Sequence, residues 1–282
     1  MPEVSFGHGE RAELARSDVE AMVAGHRRAL KLTDGQYACI LQKVFHTFLY
    51  DLREFAVDYF DVGSERFLSA LPWLTFFQTI IYELDLIAEG ALASDRPIPA
   101  EEIAERGEEL RSFLRSNRLS DPETEAALEQ VIHYLSHEAE HRKTDHAVDV
   151  NQVLELLDWK TADLEILLRL VLRLCEIQAA PHELHIFRLL ERVREVFDDI
   201  RDYHEDAATR SFNVVGNLEK LLGRGKAHRT IVEYVEQEYA QIDRLIEQEE
   251  GERRARFALL TPRWRDERRH YLGELDALWT CN

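Results

Sequence analysis

Residues 193–227 read VREVFDDIRDYHEDAATRSFNVVGNLEKLLGRGKA. Asp198, Asp202 and Asp206 are spaced i, i+4, i+8, so on a helix they line one face at steps of about 6 Å. Like charges at that spacing repel. The ordinary remedy, a lysine one turn away, is absent because the next position is again aspartate. Val196, Phe197, Ile200 and Tyr203 make the rest of the helix apolar and aromatic. Two readings are open on spacing alone. One is a solvated acidic face, partly offset by Arg194 and Arg201. The other is a set of ligands for a hard divalent cation, Mg²⁺ above all.

A second pair of acids bears on the choice. In FFQTIIYELDLIAEGAL, Asp85 and Glu89 stand four residues apart among Phe76, Phe77, Ile80, Ile81, Leu84 and Ile87. A carboxylate in such company is costly unless it is paired, protonated or bound to a metal. The bland alternative is a helix end near solvent, because Gly90 and an ASDRP turn follow, with Glu83 the water-facing residue.

The rest of the chain is helical in pattern. Apolar residues recur with a period near 3.6 throughout, and no strand alternation is visible. The expected helices cover 9–32, 35–60, 64–92, 99–116, 121–146, 149–179, 182–208, 214–223, 227–250 and 252–279. Turn signals DVGS, ASDRPIP, SNRLSDPE, AAPHE, GRGK and LTPR separate them. In SDPE, Ser120 or Asp121 serves as N-cap and Pro122 as the first helical residue. The segments 70–84 and 164–177 are apolar on most sides, which makes them central helices. With no linker or repeat, residues 1–282 read as one all-α domain.

Composition narrows the function. A net charge of −19 argues against nucleic-acid binding and against charge-driven docking on anionic membranes. The best membrane-span candidate, LEILLRLVLRLCEI, is broken by Arg169 and Arg173, which are expected to pair with acids elsewhere. No signal peptide is visible, and cytoplasm is the expected compartment. Cys39, Cys175 and Cys281 form no disulfide framework; the first two read as small buried residues. Only six lysines occur, Lys31, Lys43, Lys143, Lys160, Lys220 and Lys226, so the position of each is informative. The charge blocks of EQEEGERRARFALLTPRWRDERRH suit a solvated or subunit-contacting helix.

These motifs, in this order, resemble the class I isoprenoid synthases, the superfamily of trans-prenyl diphosphate synthases and terpene synthases. The family's second acidic region, DDxxDxxxD, is matched by Asp198, Asp199, Asp202 and Asp206. Arg210 stands at its following basic position, Gly216-Asn217-Leu218 loosely follows G-x-DL, and Lys226 fits the closing lysine. Lys160-Thr161 resembles the family's KT pair, and Asp85 to Glu89 falls where the first motif, DDxxD, belongs. The resemblance spans roughly residues 65–230; residues 1–60 match the family poorly. Leu86 replaces a ligand acid, one arginine, Arg96, stands for the family's RRG, and HRRALK (Arg27, Arg28, Lys31) poorly replaces its N-terminal basic motif.

The resemblance implies an isoprenoid-synthase-type helical bundle with a central active-site cavity. It implies two or three Mg²⁺ ions on Asp85, Glu89, Asp198, Asp199, Asp202 and Asp206. Diphosphate would be held by Lys160, Arg210, Lys226 and Arg96, with Asp85, Asp198, Asp202 and Lys160 catalytic. Phe76, Phe77, Tyr82, Phe187 and Tyr203 are candidates to line the cavity. The implied activity is prenyl transfer, or ionisation and cyclisation, of an allylic prenyl diphosphate, and a homodimer is suggested. The alternative is an inactive paralogue that binds a prenyl diphosphate as a regulatory helical subunit. A remote alternative is a zinc hydrolase, because His137-Glu138-Ala139-Glu140-His141 fits H-E-x-x-H, with His133 on the same face and His146 near. Arg142, Lys143 and Asp145 follow and are weaker candidates to face the site.

Overall fold

The computed structural model describes residues 34–93, 100–144 and 149–280, with side chains described at 38–84, 103–138 and 149–279. The expected helix over 9–32, Arg96, Asp145 and Cys281 lie outside those residues. So do the side chains of Asp85, Glu89, His141, Arg142 and Lys143.

Helices are the only regular elements among the described residues. They are α1 (Asp34–His46), α2 (Ser64–Ala93), α3 (Ala100–Ser116), α4 (Pro122–Thr144), α5 (Val150–Lys160) and α6 (Ala162–Leu174). After them come α7 (Pro181–Arg201), α8 (Tyr203–Thr209), α9 (Val214–Leu222), α10 (Arg224–Glu247) and α11 (Gly251–Thr280). Between α1 and α2 the chain continues as two π-helical turns, Thr47–Leu52 and Glu54–Tyr59. These wider turns bury Phe48, Leu52, Phe55 and Tyr59.

Capping chemistry sets the boundaries. Asp121 Oδ1 accepts the Thr124 N–H at 2.8 Å, which makes Asp121 the cap that starts α4. Asp149 and Gln152 form a reciprocal capping box at the start of α5. Asn213 Oδ1 accepts the Gly216 N–H at 2.9 Å and starts α9.

Packing is centred on α6 and α7. Helix α6 lies against α2, α4 and α7; α7 also contacts α5, α8, α9, α10 and α11. One hydrophobic core runs from Ile40 through Phe77, Leu168 and Phe197 to Trp264 and Leu275. Burial of this apolar surface, at about 25 cal/mol per Å², drives the assembly. The central placement of 70–84 and 164–177 agrees with their apolar sequence. Arg169 pairs with Glu165 at 2.7 Å, and Arg173 with Asp121 at 2.9 Å.

Two expectations change. Cys175 is buried, but Cys39 is exposed. Helix α11 is not merely solvated: Phe257 and Trp264 are buried, and the Trp264 indole N–H donates to Glu54 Oε1 at 2.5 Å. No described helix is long and apolar enough to cross a membrane.

Candidate active site

A cavity of about 690 Å³ opens between α1 with the first π turn, α2, α4, the α5–α6 junction, α7 and α11. Asp198, Asp199, Asp202 and Asp206 line it together with Lys160. Residues from two motifs some 40 positions apart therefore meet on one wall.

The junction explains how Lys160 gets there. Helix α5 ends at Lys160, the Thr161 hydroxyl turns back to the Asp158 carbonyl at 3.0 Å, and α6 begins at Ala162. This break projects the lysine towards α7. Its Nζ lies 2.9 Å from Asp199 Oδ1 and 2.5 Å from Glu195 Oε1. Burial alone would lower its proton affinity, but the two carboxylates outweigh that and hold it well above the ordinary lysine value.

The four aspartates divide into different roles. Asp199 is buried, and both its oxygens are engaged: Oδ1 with Lys160, and Oδ2 with the Val214 N–H at 2.5 Å. Burial pushes its carboxyl up, and the Lys160 ammonium opposes the shift. Asp206 Oδ2 accepts from Asn213 Nδ2 at 2.8 Å, so it is tied to the cap of α9. Asp198 and Asp202 are the half-exposed pair. Their described cationic partner is Arg201, at 2.9 Å and 3.1 Å respectively. Burial, then the neighbouring Glu195 charge, pushes Asp198 up to about 7.

Metal capacity follows from this division. Asp198 and Asp202 line the cavity one turn apart, bridged by the exposed Arg201, which reaches both Asp202 oxygens at 3.1 and 3.3 Å; a divalent cation would take the place of that arginine in an acid-crowded wall. Asp199 does not fit the role of ligand, since its oxygens already hold Lys160 and the α9 backbone. Among the described residues no three His, Cys, Asp or Glu side chains converge into a ready metal site. Ile81 lines the cavity, and Asp85 stands one helical turn further along α2.

Other candidates fall elsewhere. Arg210 is exposed and ends α8 in the left-handed region, with φ 60°. Lys226 is exposed in the first turn of α10. Neither lines the cavity. Of the five aromatic candidates, Tyr82 alone lines it. Phe76, Phe77 and Phe187 are core residues, with Phe187 set edge-on against Phe55, and the Tyr203 hydroxyl bonds to Glu219.

In the H-E-x-x-H segment, His137 is exposed beside Trp159 at a ring distance of 5.5 Å. Glu138 is buried and accepts the Phe212 N–H at 3.4 Å. Its carboxylate is directed to the backbone ahead of α9.

Several lining residues were not anticipated. Glu195 is one turn before Asp198 on the acid face, and Asp163 is one turn after Lys160; both spacings were visible in the sequence. Trp159, Phe197 and Tyr271 add aromatic surface, while Lys43, His46 and Asp51 come from the wall built by α1 and the π turn. No protein-family model, curated protein or solved structure matches this chain.

Proposed function

We propose that this cavity carries out a Mg²⁺-dependent transformation of an allylic prenyl diphosphate, by prenyl transfer or by ionisation and cyclisation with release of diphosphate. The observation that carries the reading is the meeting of Lys160 with Asp198, Asp199 and Asp202 on the wall of a cavity whose other walls include Tyr82, Trp159 and Phe197. The sequence resemblance assigns these same residues to one site.

When bound, Mg²⁺ would neutralise and orient the diphosphate as a leaving group. Asp198 and Asp202 would hold it, with the acids of α2 expected opposite. Lys160 has three N–H donors and spends two on Glu195 and Asp199, which leaves one for a diphosphate oxygen. Asp199 keeps that lysine in place and protonated. Tyr82, Trp159, Phe197 and Tyr271 line the same cavity and supply the aromatic surface that would stabilise an allylic cation.

The test is incubation with Mg²⁺ and geranyl, farnesyl or geranylgeranyl diphosphate, with and without isopentenyl diphosphate, following pyrophosphate release. Release is expected from at least one substrate; its absence from all of them sinks the enzymatic reading. Tight binding without turnover would select the regulatory paralogue. Release only with isopentenyl diphosphate would select chain elongation. Asp202→Ala should abolish turnover and His137→Ala should not, whereas the reverse pattern would favour zinc chemistry.

A further inference from the structure

We propose that Asp163 is the base that ends the reaction, taking a proton from the carbocation left after diphosphate departs. This inference rests on the function proposed above. Asp163 lies in the first turn of α6, across the α5–α6 break from Lys160, and lines the same cavity.

Its hydrogen bonds differ from those of the neighbouring acids. Asp163 Oδ1 accepts the Leu164 N–H at 2.8 Å, and Oδ2 accepts from Gln78 Nε2 at 2.9 Å. The described side-chain partner is thus a neutral amide, where Asp199 faces Lys160 and Asp198 faces Arg201. Gln78 is wholly buried, and its Oε1 has no hydrogen-bond partner among the described residues. An unpaired buried carbonyl costs roughly 1–3 kcal/mol and calls for an explanation.

A change of protonation supplies one. Against a carboxylate, the amide donates through Nε2. Against the protonated acid, the amide turned over accepts the new O–H through Oε1. Gln78 can therefore serve Asp163 in both states, which a lysine or arginine cannot. Burial, with Glu195 on α7 adding to it, pushes Asp163 up to about 6, so it is ionised yet basic near neutral pH. The ammonium of Lys160, at the end of α5, is committed to Glu195 and Asp199.

The step balances without any redox partner. The C–H bond next to the cationic carbon breaks, its electron pair becomes the new C=C bond, and the proton goes to an Asp163 oxygen. Product release opens the cavity to water, which takes the proton away.

Asp163→Asn tests this with the allylic diphosphates above. Per pyrophosphate released, alkene formation should fall roughly 100-fold in favour of the water-captured alcohol. Asp163→Glu should restore part of the alkene. An unchanged ratio of alkene to alcohol overturns the inference while leaving the proposed function standing. Absence of pyrophosphate release from the parent protein removes both. Independently of turnover, carboxyl infrared titration should show a group titrating near pH 6 that Asp163→Asn lacks. Loss of no such band also overturns the assignment. Thermal unfolding of Asp163→Asn confirms that the folded protein is being compared.

Discussion

Lys160 Nζ lies 2.9 Å from Asp199 Oδ1, and the other oxygen of the same carboxylate accepts the Val214 N–H. One side chain thus joins the end of α5, the last turns of α7 and the start of α9. Removing it leaves Lys160 with Glu195 alone and the buried Val214 N–H without its acceptor, at a cost of roughly 1–3 kcal/mol. Asp199→Ala should destabilise the protein by that order in urea unfolding, and Asp199→Asn by less, since an amide keeps part of the bonding.

Asp202 is expected to behave in the opposite way. It is half-exposed, and its bridge to Arg201 is of a kind worth about 0–1 kcal/mol. Asp202→Ala should therefore leave the unfolding midpoint nearly unchanged and abolish pyrophosphate release. Equal stability losses in the Asp199 and Asp202 variants would dissolve the division between a structural and a functional aspartate.

The sequence carried this division only in part. Periodicity located nearly every helix, and SDPE placed the start of α4 at Pro122. It missed the breaks at Thr161 and Asp202, because both flanks of each break are helical and a 3.6-residue pattern does not register a one-residue turn. Those two breaks aim Lys160 and Asp206 at the cavity wall. Likewise the acid spacing put Asp198, Asp202 and Asp206 on one helix face, but α8 begins at Tyr203, and Asp206 belongs to a separate element held by Asn213. Which aspartate is committed to an internal partner depends on residues far away in sequence, such as Lys160 and Val214. No local pattern encodes that.

Asn213 concentrates several of these long-range bonds. Its Oδ1 caps α9, while its Nδ2 donates to the Asp199 carbonyl at 2.7 Å and to Asp206 Oδ2 at 2.8 Å. Loss of a cap alone costs about 0.5–2 kcal/mol. Asn213→Ala should exceed that range, because it also orphans a buried carbonyl and frees Asp206. Asn213→Asp should keep the cap yet remain destabilising, since it sets a carboxylate against both acceptors. Chemical denaturation of the two variants beside the parent measures the difference.

Glu191 gives the pH dependence its clearest sign. It is buried on α7, and Arg194 Nη1 donates to it at 2.9 Å. Burial raises its carboxyl to about 8; Arg194 opposes the rise and Asp51 adds to it. The folded protein thus holds the proton to higher pH than the unfolded chain, where glutamate titrates near its ordinary value of about 4.3. The resulting stabilisation is complete below that unfolded value and is lost as pH rises through about 8. Stability should therefore fall between about pH 5 and pH 8 by on the order of 3–4 kcal/mol from this group. Glu191→Gln should flatten that part of the profile, because Arg194 keeps Glu54 at 2.5 Å and Glu267 at 3.5 Å. Urea unfolding of both proteins at several pH values decides it. A parent profile that rises over this interval, or one that Glu191→Gln leaves unaltered, would show that the buried arginine keeps Glu191 ionised throughout.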